Sequence, residues 1–232
     1  MKIIPQLCNV YHLGQLEYGK AWDLQKALLE QISLGERPSS LLLLEHEHVY
    51  TIGRTGSIAE INASEKRLLD LGISIYETDR GGQVTYHGPG QLIAYPIIDI
   101  RYLGGPLKYV RALEQIIIKT LSDHNINALT KDGYTGVWVS DEKIAAIGVK
   151  ISRGISLHGI SLNINPDLDY FKHIIPCGLV EAPITSMENI LKRPINIETI
   201  AYLLQYYLGS ELGLTLVDSD PAGLPTFDST HY

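Results

Sequence analysis

Apolar positions recur along this chain at two spacings, and each predicts an element. Over 18–35, Ala21, Leu24, Leu28 and Ile32 fall three or four residues apart, the stripe of an amphipathic helix that Gly35 and Pro38 end. The same period predicts a helix over 107–124, with Leu107, Val110, Leu113, Ile117 and Leu121 as its buried side. It predicts another over 197–212, on Ile200, Leu203, Tyr207 and Leu208. Short helices are expected to begin at Ser64 and at Thr185, where Glu188 completes a capping-box spacing. Between the helices the pattern shortens. "LLLLE" (41–45), "VYTIG" (49–53), "LIAYPII" (92–98) and "ISLHGISLNI" (155–164) predict strands, and "GVWVSDEKIAAIGV" a hairpin turning at Asp141 and Glu142. Runs of strands interrupted by a few long helices indicate a single α+β domain with a mixed sheet.

No linker-like stretch breaks 1–217, which is expected to be one domain. The tail 218–232, "DSDPAGLPTFDSTHY", is polar and Pro-containing and is expected to be poorly ordered. With 232 residues, 45% of them hydrophobic, the chain can bury a large core. The net charge of -7 argues against nucleic acid as a partner. No run of 18 apolar residues predicts a membrane span, and the start "MKIIPQLCNVYHLGQ" lacks the apolar run of a signal peptide. Two cysteines, Cys8 and Cys177, do not make a disulfide framework, and a cytoplasmic location is expected.

Chemistry concentrates in a few stretches. "RGGQVTYHGPGQ" (80–91) has four glycines and one proline among polar-tipped side chains. Glycine lets backbone approach a ligand closely, and the loop fits neither a Walker loop nor a dinucleotide fingerprint. Its two readings are a binding loop and an irregular turn. On a regular strand Lys143 shares a face with Ala145, Ile147 and Val149, so its amine either lines a pocket or snorkels to solvent. His158 alternates with Ile160, Leu162 and Ile164, the position of a satisfied buried histidine. Cys8 reads as a small buried hydrophobe. Cys177, between Pro176 and Gly178, lies in an irregular segment, where a nearby cation or base would make it reactive. The eight His and two Cys show no metal-ligand spacing.

Together "LLLLEHEHVYTIGR", "RGGQVTYHGPGQLIAYPI", "GVWVSDEKIAAIGVKISRGISLHGISLNINPDLDYF" and "IIPCGL" resemble, in order, the motifs of the octanoyltransferases of lipoate synthesis. The resemblance covers about residues 10 to 192 and departs at Glu47 and His48, where the family has a Pro-rich pair. It implies the biotin/lipoate protein ligase fold, a large mixed sheet with a smaller one beside it, flanked by helices. It implies Cys177 as acyl-thioester nucleophile and Lys143 as acid/base. The substrate-binding residues it implies are Arg80, Gly81, Gly82, Thr85, Tyr86, His87 and Gly88, then Ala146, Ile147, Gly148 and Val149, and finally Ser156, Leu157, His158 and Gly159. The implied donor is octanoyl-acyl carrier protein. The implied acceptors are lipoyl domains of 2-oxoacid dehydrogenase complexes and the glycine cleavage H protein. Neither ATP, metal nor cofactor is expected, because a thioester is already activated, and a monomer is expected. The alternatives are an ATP-dependent lipoate or biotin ligase on the same fold and a non-catalytic acyl-binding domain. Because the acyl carrier protein is acidic, a basic docking rim is expected among Arg54, Lys66, Arg67, Lys150 and Arg153.

Overall fold

The computed structural model describes residues 6–174 and 183–225. In chain order the elements are β1 (Gln6–Gln15), α1 (Tyr18–Ser33), β2 (Ser39–Glu45), β3 (Val49–Ile52), α2 (Glu65–Asp70), β4 (Ser74–Glu77), β5 (Val84–His87) and β6 (Gln91–Ile97). Then follow α3 (Pro106–Ser122), β7 (Leu129–Lys131), β8 (Tyr134–Val139), β9 (Glu142–Ser152), β10 (Ile155–Asn163), α4 (Met187–Leu191), α5 (Ile197–Leu212) and β11 (Leu214–Asp218).

Eight strands form one mixed sheet in the order β11-β1-β2-β6-β10-β9-β8-β7, and β4-β3-β5 form a second, smaller sheet. Helices α3 and α5 cover one face of the large sheet, where Leu113, Ile117, Leu204 and Leu208 pack on Leu41, Leu92, Ile160 and Leu162. Helix α1 covers the other face, burying Ala21, Leu24 and Leu28 against Leu42, Ile93, Tyr95 and Leu157. Central strands covered on both faces read as continuous apolar runs, which is why "LLLLE" and "LIAYPII" stand out in the sequence. The small sheet has its own core of Tyr50, Val84 and Tyr86.

The helices end where their apolar stripes predict, with local corrections. Leu107 is 71% exposed, and Tyr109 takes the inner position at the start of α3. At 100° per residue Leu107 lies about 200° from Tyr109, on the outer side. The cap of α4 is Ser186, whose side chain accepts from Asn189 N. Thr185 instead donates its N–H to Lys143 O, continuing a bridge beside β9. The β8–β9 hairpin pairs Val139 with Glu142, so Ser140 and Asp141 make the turn, with Ser140 at φ 53°. The edge strands β4, β5, β7 and β11, and the longer inner strand β1, carry too little periodicity to have been predicted. Of the tail, Pro221–Gly223 form a 3-10 turn whose Gly223 carbonyl accepts from Arg37. No described helix is long and apolar enough to cross a membrane.

Candidate active site

Residues 80–83 stitch the small sheet to the large one. The buried Arg80 guanidinium donates to the carbonyls of Thr51, Gly81 and Gln83 and to the Thr51 hydroxyl, closing the loop around itself. Arg54 N and Thr55 N donate to the carbonyls of Arg80 and Gly82. On the other side Gly81 N donates to Val149 O at 3.0 Å. β8 pairs with β9 only as far as Ala145, which leaves this carbonyl to the loop. Two glycines outside the loop make the approach possible. A Cβ at Gly53 would collide with the Gly82 carbonyl, and one at Gly148 would stand 3.0 Å from Gly81 O.

Lys143 reaches the site through a β-bulge. Trp138 pairs with Lys143, but Val137 pairs with Ala145, so Ile144 is an extra residue. Beyond the bulge Ala145 belongs to the helix-side core, against which Ile147 and Val149 pack. Lys143, 6% exposed, lines the cavity with Ala146 and Gly148. The regular-strand reading therefore put Lys143 on the wrong face, because a bulge re-aims a side chain. Its ammonium lies 5.6 Å from the Trp138 ring centroid. Its backbone is held by Pro183 O, 2.8 Å from Lys143 N, and by Thr185 N, 3.0 Å from Lys143 O.

His158 is turned by a different irregularity. Strict alternation sends it to the helix side with Ile160 and Leu162, but its φ is 57°. Its ring lies against Trp22 and Tyr95 on the opposite face, and it lines the cavity. Positive φ in a residue other than glycine is strained and persists only where the surroundings enforce it. Here Gln25 Oε1 accepts the His158 N–H at 2.7 Å, and Asp79 Oδ1 lies 2.9 Å from Nε2. The hydrogen bond from His158, with that from Lys150, holds the Asp79 carboxyl well below the usual carboxylate range. Burial lowers the His158 pKa, so the ring is neutral, with its proton on Nε2. Nδ1 is then a lone-pair acceptor.

A cavity of about 240 Å³ lies between these elements. Its closed end is aromatic and buried: Tyr18, His87, Tyr95 and His158. His87 stacks on Tyr18 with ring planes 6° apart, and burial keeps it neutral, its pKa well below the ordinary value. Its mouth is formed by the exposed Thr55, Gly82, Gly133, Tyr134 and Thr135.

Among the residues expected at the site, Arg80, Gly81, Gly82, Thr85, His87, Lys143, Ala146, Ile147, Gly148, His158 and Gly159 line this cavity together. Tyr86, Gly88, Val149, Ser156 and Leu157 are not among its lining. Tyr86 points into the small-sheet core and shares a hydrogen bond with His48 Nδ1. Gly88 stands beside the Tyr86 hydroxyl. Val149 packs on the helix-side core. Ser156 Oγ donates to Pro96 O within the sheet, and Leu157 packs under α1. Cys177 lies outside the described residues. Cys8 is fully buried, which pushes its thiol up to about 12 and makes it an inert core residue. Sequence reasoning missed Tyr18, Tyr95, Trp138 and Gly136, and no periodicity marks them. Among the described residues no group of three or more His, Cys, Asp or Glu could hold a metal.

The chain resembles known proteins in both sequence and fold. The chain is 48% identical over 181 residues to the octanoyltransferase of Solibacter usitatus, covering 78% of this chain and 82% of that one. It is 44% identical over 200 residues to the octanoyltransferase of Koribacter versatilis, covering 84% and 80%. Lipoate-protein ligase A bound with ATP superposes with a TM-score of 0.75 at 14% identity, over 92% of this chain and 88% of that one. Biotin protein ligase from Aquifex aeolicus in complex with biotin and ATP superposes with a TM-score of 0.56 at 14% identity, over 88% and 70%. These two likenesses show the fold, a lipoate/biotin protein ligase architecture. Residues 17–208 match the family described as the lipoyl protein ligase A/B catalytic domain, and the chain belongs to that family.

Proposed function

We propose that this protein moves an octanoyl group from acyl carrier protein to the target lysine of a lipoyl domain, by way of a thioester on Cys177. The observation that carries the reading is a buried lysine lining a cavity, re-aimed there by a bulge, in a chain whose relatives are octanoyltransferases. The segment 175–182 supplies the nucleophile. Its flanks support this: Ile174 bridges to Ile61, and Pro183 O accepts from Lys143 N. Pro183 follows Cys177 by six residues, so at most about 22 Å of chain links Cys177 to Pro183, whose carbonyl holds the backbone of Lys143.

The chemistry balances without a nucleotide. The Cys177 sulfur attacks the donor carbonyl, a new S–C bond forms, and the carrier's S–C bond breaks. Lys143 takes the Cys177 proton and delivers it to the departing carrier thiolate. The acceptor amine then attacks the acyl-enzyme, C–N replaces C–S, and Lys143 passes the amine's proton to the Cys177 sulfur. Arg80 holds the glycine loop as the cavity wall. The acceptors are lipoyl domains of 2-oxoacid dehydrogenase complexes and the glycine cleavage H protein, and the enzyme acts as a monomer in the cytoplasm.

Intact-protein mass spectrometry after mixing with octanoyl-carrier protein tests the reading. A hydroxylamine-labile octanoyl increment should form without ATP and be absent from Cys177→Ser. Transfer that needs ATP, or a Cys177→Ser protein with the wild-type rate, would show an adenylate-forming ligase instead.

A further inference from the structure

Seven buried polar side-chain atoms of the described residues have no hydrogen-bond partner among those residues, and four of the seven belong to neighbouring side chains, two of which line the buried end of the cavity. They are Tyr18 Oη, Trp22 Nε1, Gln25 Nε2 and His158 Nδ1. Tyr18, Trp22 and Gln25 stand at i, i+4 and i+7 on one face of α1. Gln25 touches His158 through its other amide atom, the Trp22 and His158 ring centroids are 6.0 Å apart, and those of Trp22 and Tyr18 are 6.3 Å apart. The Thr78 hydroxyl lies close to the Tyr18 phenol and donates to Ile52 O, and the two hydroxyls make no well-formed hydrogen bond. Tyr18, Gln25 and His158 are 2%, 0% and 1% exposed. An unsatisfied buried polar atom is costly, and native folds keep few of them. Four in one place, two of them on residues that line the cavity, point to a ligand group.

We infer that this cluster is a polar subsite for one hydroxyl-sized group, and that it sets the length of chain the cavity accepts. The inference rests on the acyl-transfer reading, in which the acyl carbonyl sits at Lys143 and the chain runs towards Tyr18. Tyr18, Trp22 and Gln25 present donors, and the neutral His158 ring presents an acceptor because its proton is committed to Asp79. A hydroxyl oxygen accepts two hydrogen bonds and donates one, so it pairs two of the three donors and the His158 acceptor. Beneath an unsubstituted eight-carbon chain the group is a water. Beneath a chain with an ω-hydroxyl it is the substrate's own oxygen. A longer alkyl chain must expel the water and leave its polar partners unpaired, which loses affinity. The penalty falls on a chain that displaces the water without bringing a hydroxyl of its own, and octanoyl leaves the water in place.

The test uses the full-length enzyme with pantetheine thioesters of octanoyl, decanoyl and 8-hydroxyoctanoyl groups, following the Cys177 adduct by mass. Wild type should take 8-hydroxyoctanoyl at least as fast as octanoyl and decanoyl at least ten times more slowly. The near-isosteric Tyr18→Phe protein removes one donor with little change of volume. Its decanoyl-to-octanoyl ratio should rise about 3- to 10-fold, the range expected for buried hydrogen bonds, and its handling of 8-hydroxyoctanoyl should fall relative to octanoyl. Adducts that form with both ratios unchanged would overturn the subsite while leaving acyl transfer intact. If no thioester acylates wild type, the transferase reading fails and the subsite fails with it. Trp22→Phe, which also opens space beside the cavity, is read only by its 8-hydroxyoctanoyl-to-octanoyl ratio, and both proteins are checked for a wild-type thermal transition.

Discussion

Gly136 makes room for Lys143: a Cβ at Gly136 would stand 2.6 Å from Lys143 Cε and 3.3 Å from Nζ. The same glycine is at φ 131° and donates its N–H to the fully buried Glu114 carboxylate at 3.1 Å. Gly136→Ala should therefore displace the amine as well as strain the backbone. Octanoyl transfer should fall by about 10²-fold, the range of general acid–base effects, and the melting temperature should drop by several degrees. An Ala variant with wild-type kcat would show that Lys143 needs no such slot.

If Lys143 moves protons, its charge alone is not enough. Lys143→Ala should fold normally and lose about 10²-fold or more in transfer. Lys143→Arg should not recover it, since guanidinium does not give up a proton at neutral pH. Near-complete activity in the Arg enzyme, measured with saturating octanoyl thioester, would assign Lys143 to charge stabilisation only.

The guanidinium of Arg80 acts as a fork, with four nearby acceptors on Thr51, Gly81 and Gln83. Lysine keeps the charge but cannot reproduce that geometry. Arg80→Lys should cost about 2–4 kcal/mol in urea unfolding, as several buried acceptors lose their donor. It should also raise the KM for the thioester by loosening residues 81–83. Unchanged stability would mean that the loop is held by Arg54 N, Thr55 N and Gly81 N alone.

Acid should destabilise the fold through His46. Leu16 O can only accept, so His46 donates Nδ1–H to it and accepts from the Tyr95 hydroxyl at Nε2. Burial pushes its pKa down to about 4. The folded ring then stays neutral while the unfolded chain protonates below about 6.5. A depressed folded pKa contributes stability that is present above the unfolded value and lost as pH falls from about 6.5 to 4. The slope is about 1.4 kcal/mol per pH unit inside that window. His46→Gln should remove one such increment from the slope of unfolding free energy against pH. Equal slopes in the two proteins would contradict a neutral buried His46.

Two of the five residues expected to form a docking rim are already paired within the fold. Lys150 is paired with Asp79 at 2.6 Å, and Arg153 with Glu30 at 2.7 Å. Arg54 is exposed, makes no ion pair among the described residues, and adjoins Thr55 at the mouth. Arg54→Glu should raise the KM for carrier-bound octanoyl and weaken its salt dependence, leaving octanoyl-pantetheine little changed. Reversing Lys150 and Arg153 should have a smaller effect on carrier KM. The opposite ranking would place the rim at that turn.

Period and turn chemistry are local properties, so the chain alone determined the three long helices, the buried strands β2, β6, β9 and β10, and an α+β fold. Its glycine density at 80–91 and its motifs marked the stretches that hold the site, and Cys177 as the residue to test. The faces were not legible in the same way. Alternation put Lys143 with Ala145, and a bulge that only β8 pairing enforces moved it to the cavity. Alternation also put His158 with Ile160, and Gln25 and Asp79, 133 and 79 residues away, hold the backbone conformation that turned it. Gly136, Tyr18 and Trp22 carry no local mark at all. Which side of a strand a side chain ends on, and which polar atoms lie unpaired beside one another, depends on hydrogen bonds between segments distant in sequence. Those exist only once the sheet and α1 have packed.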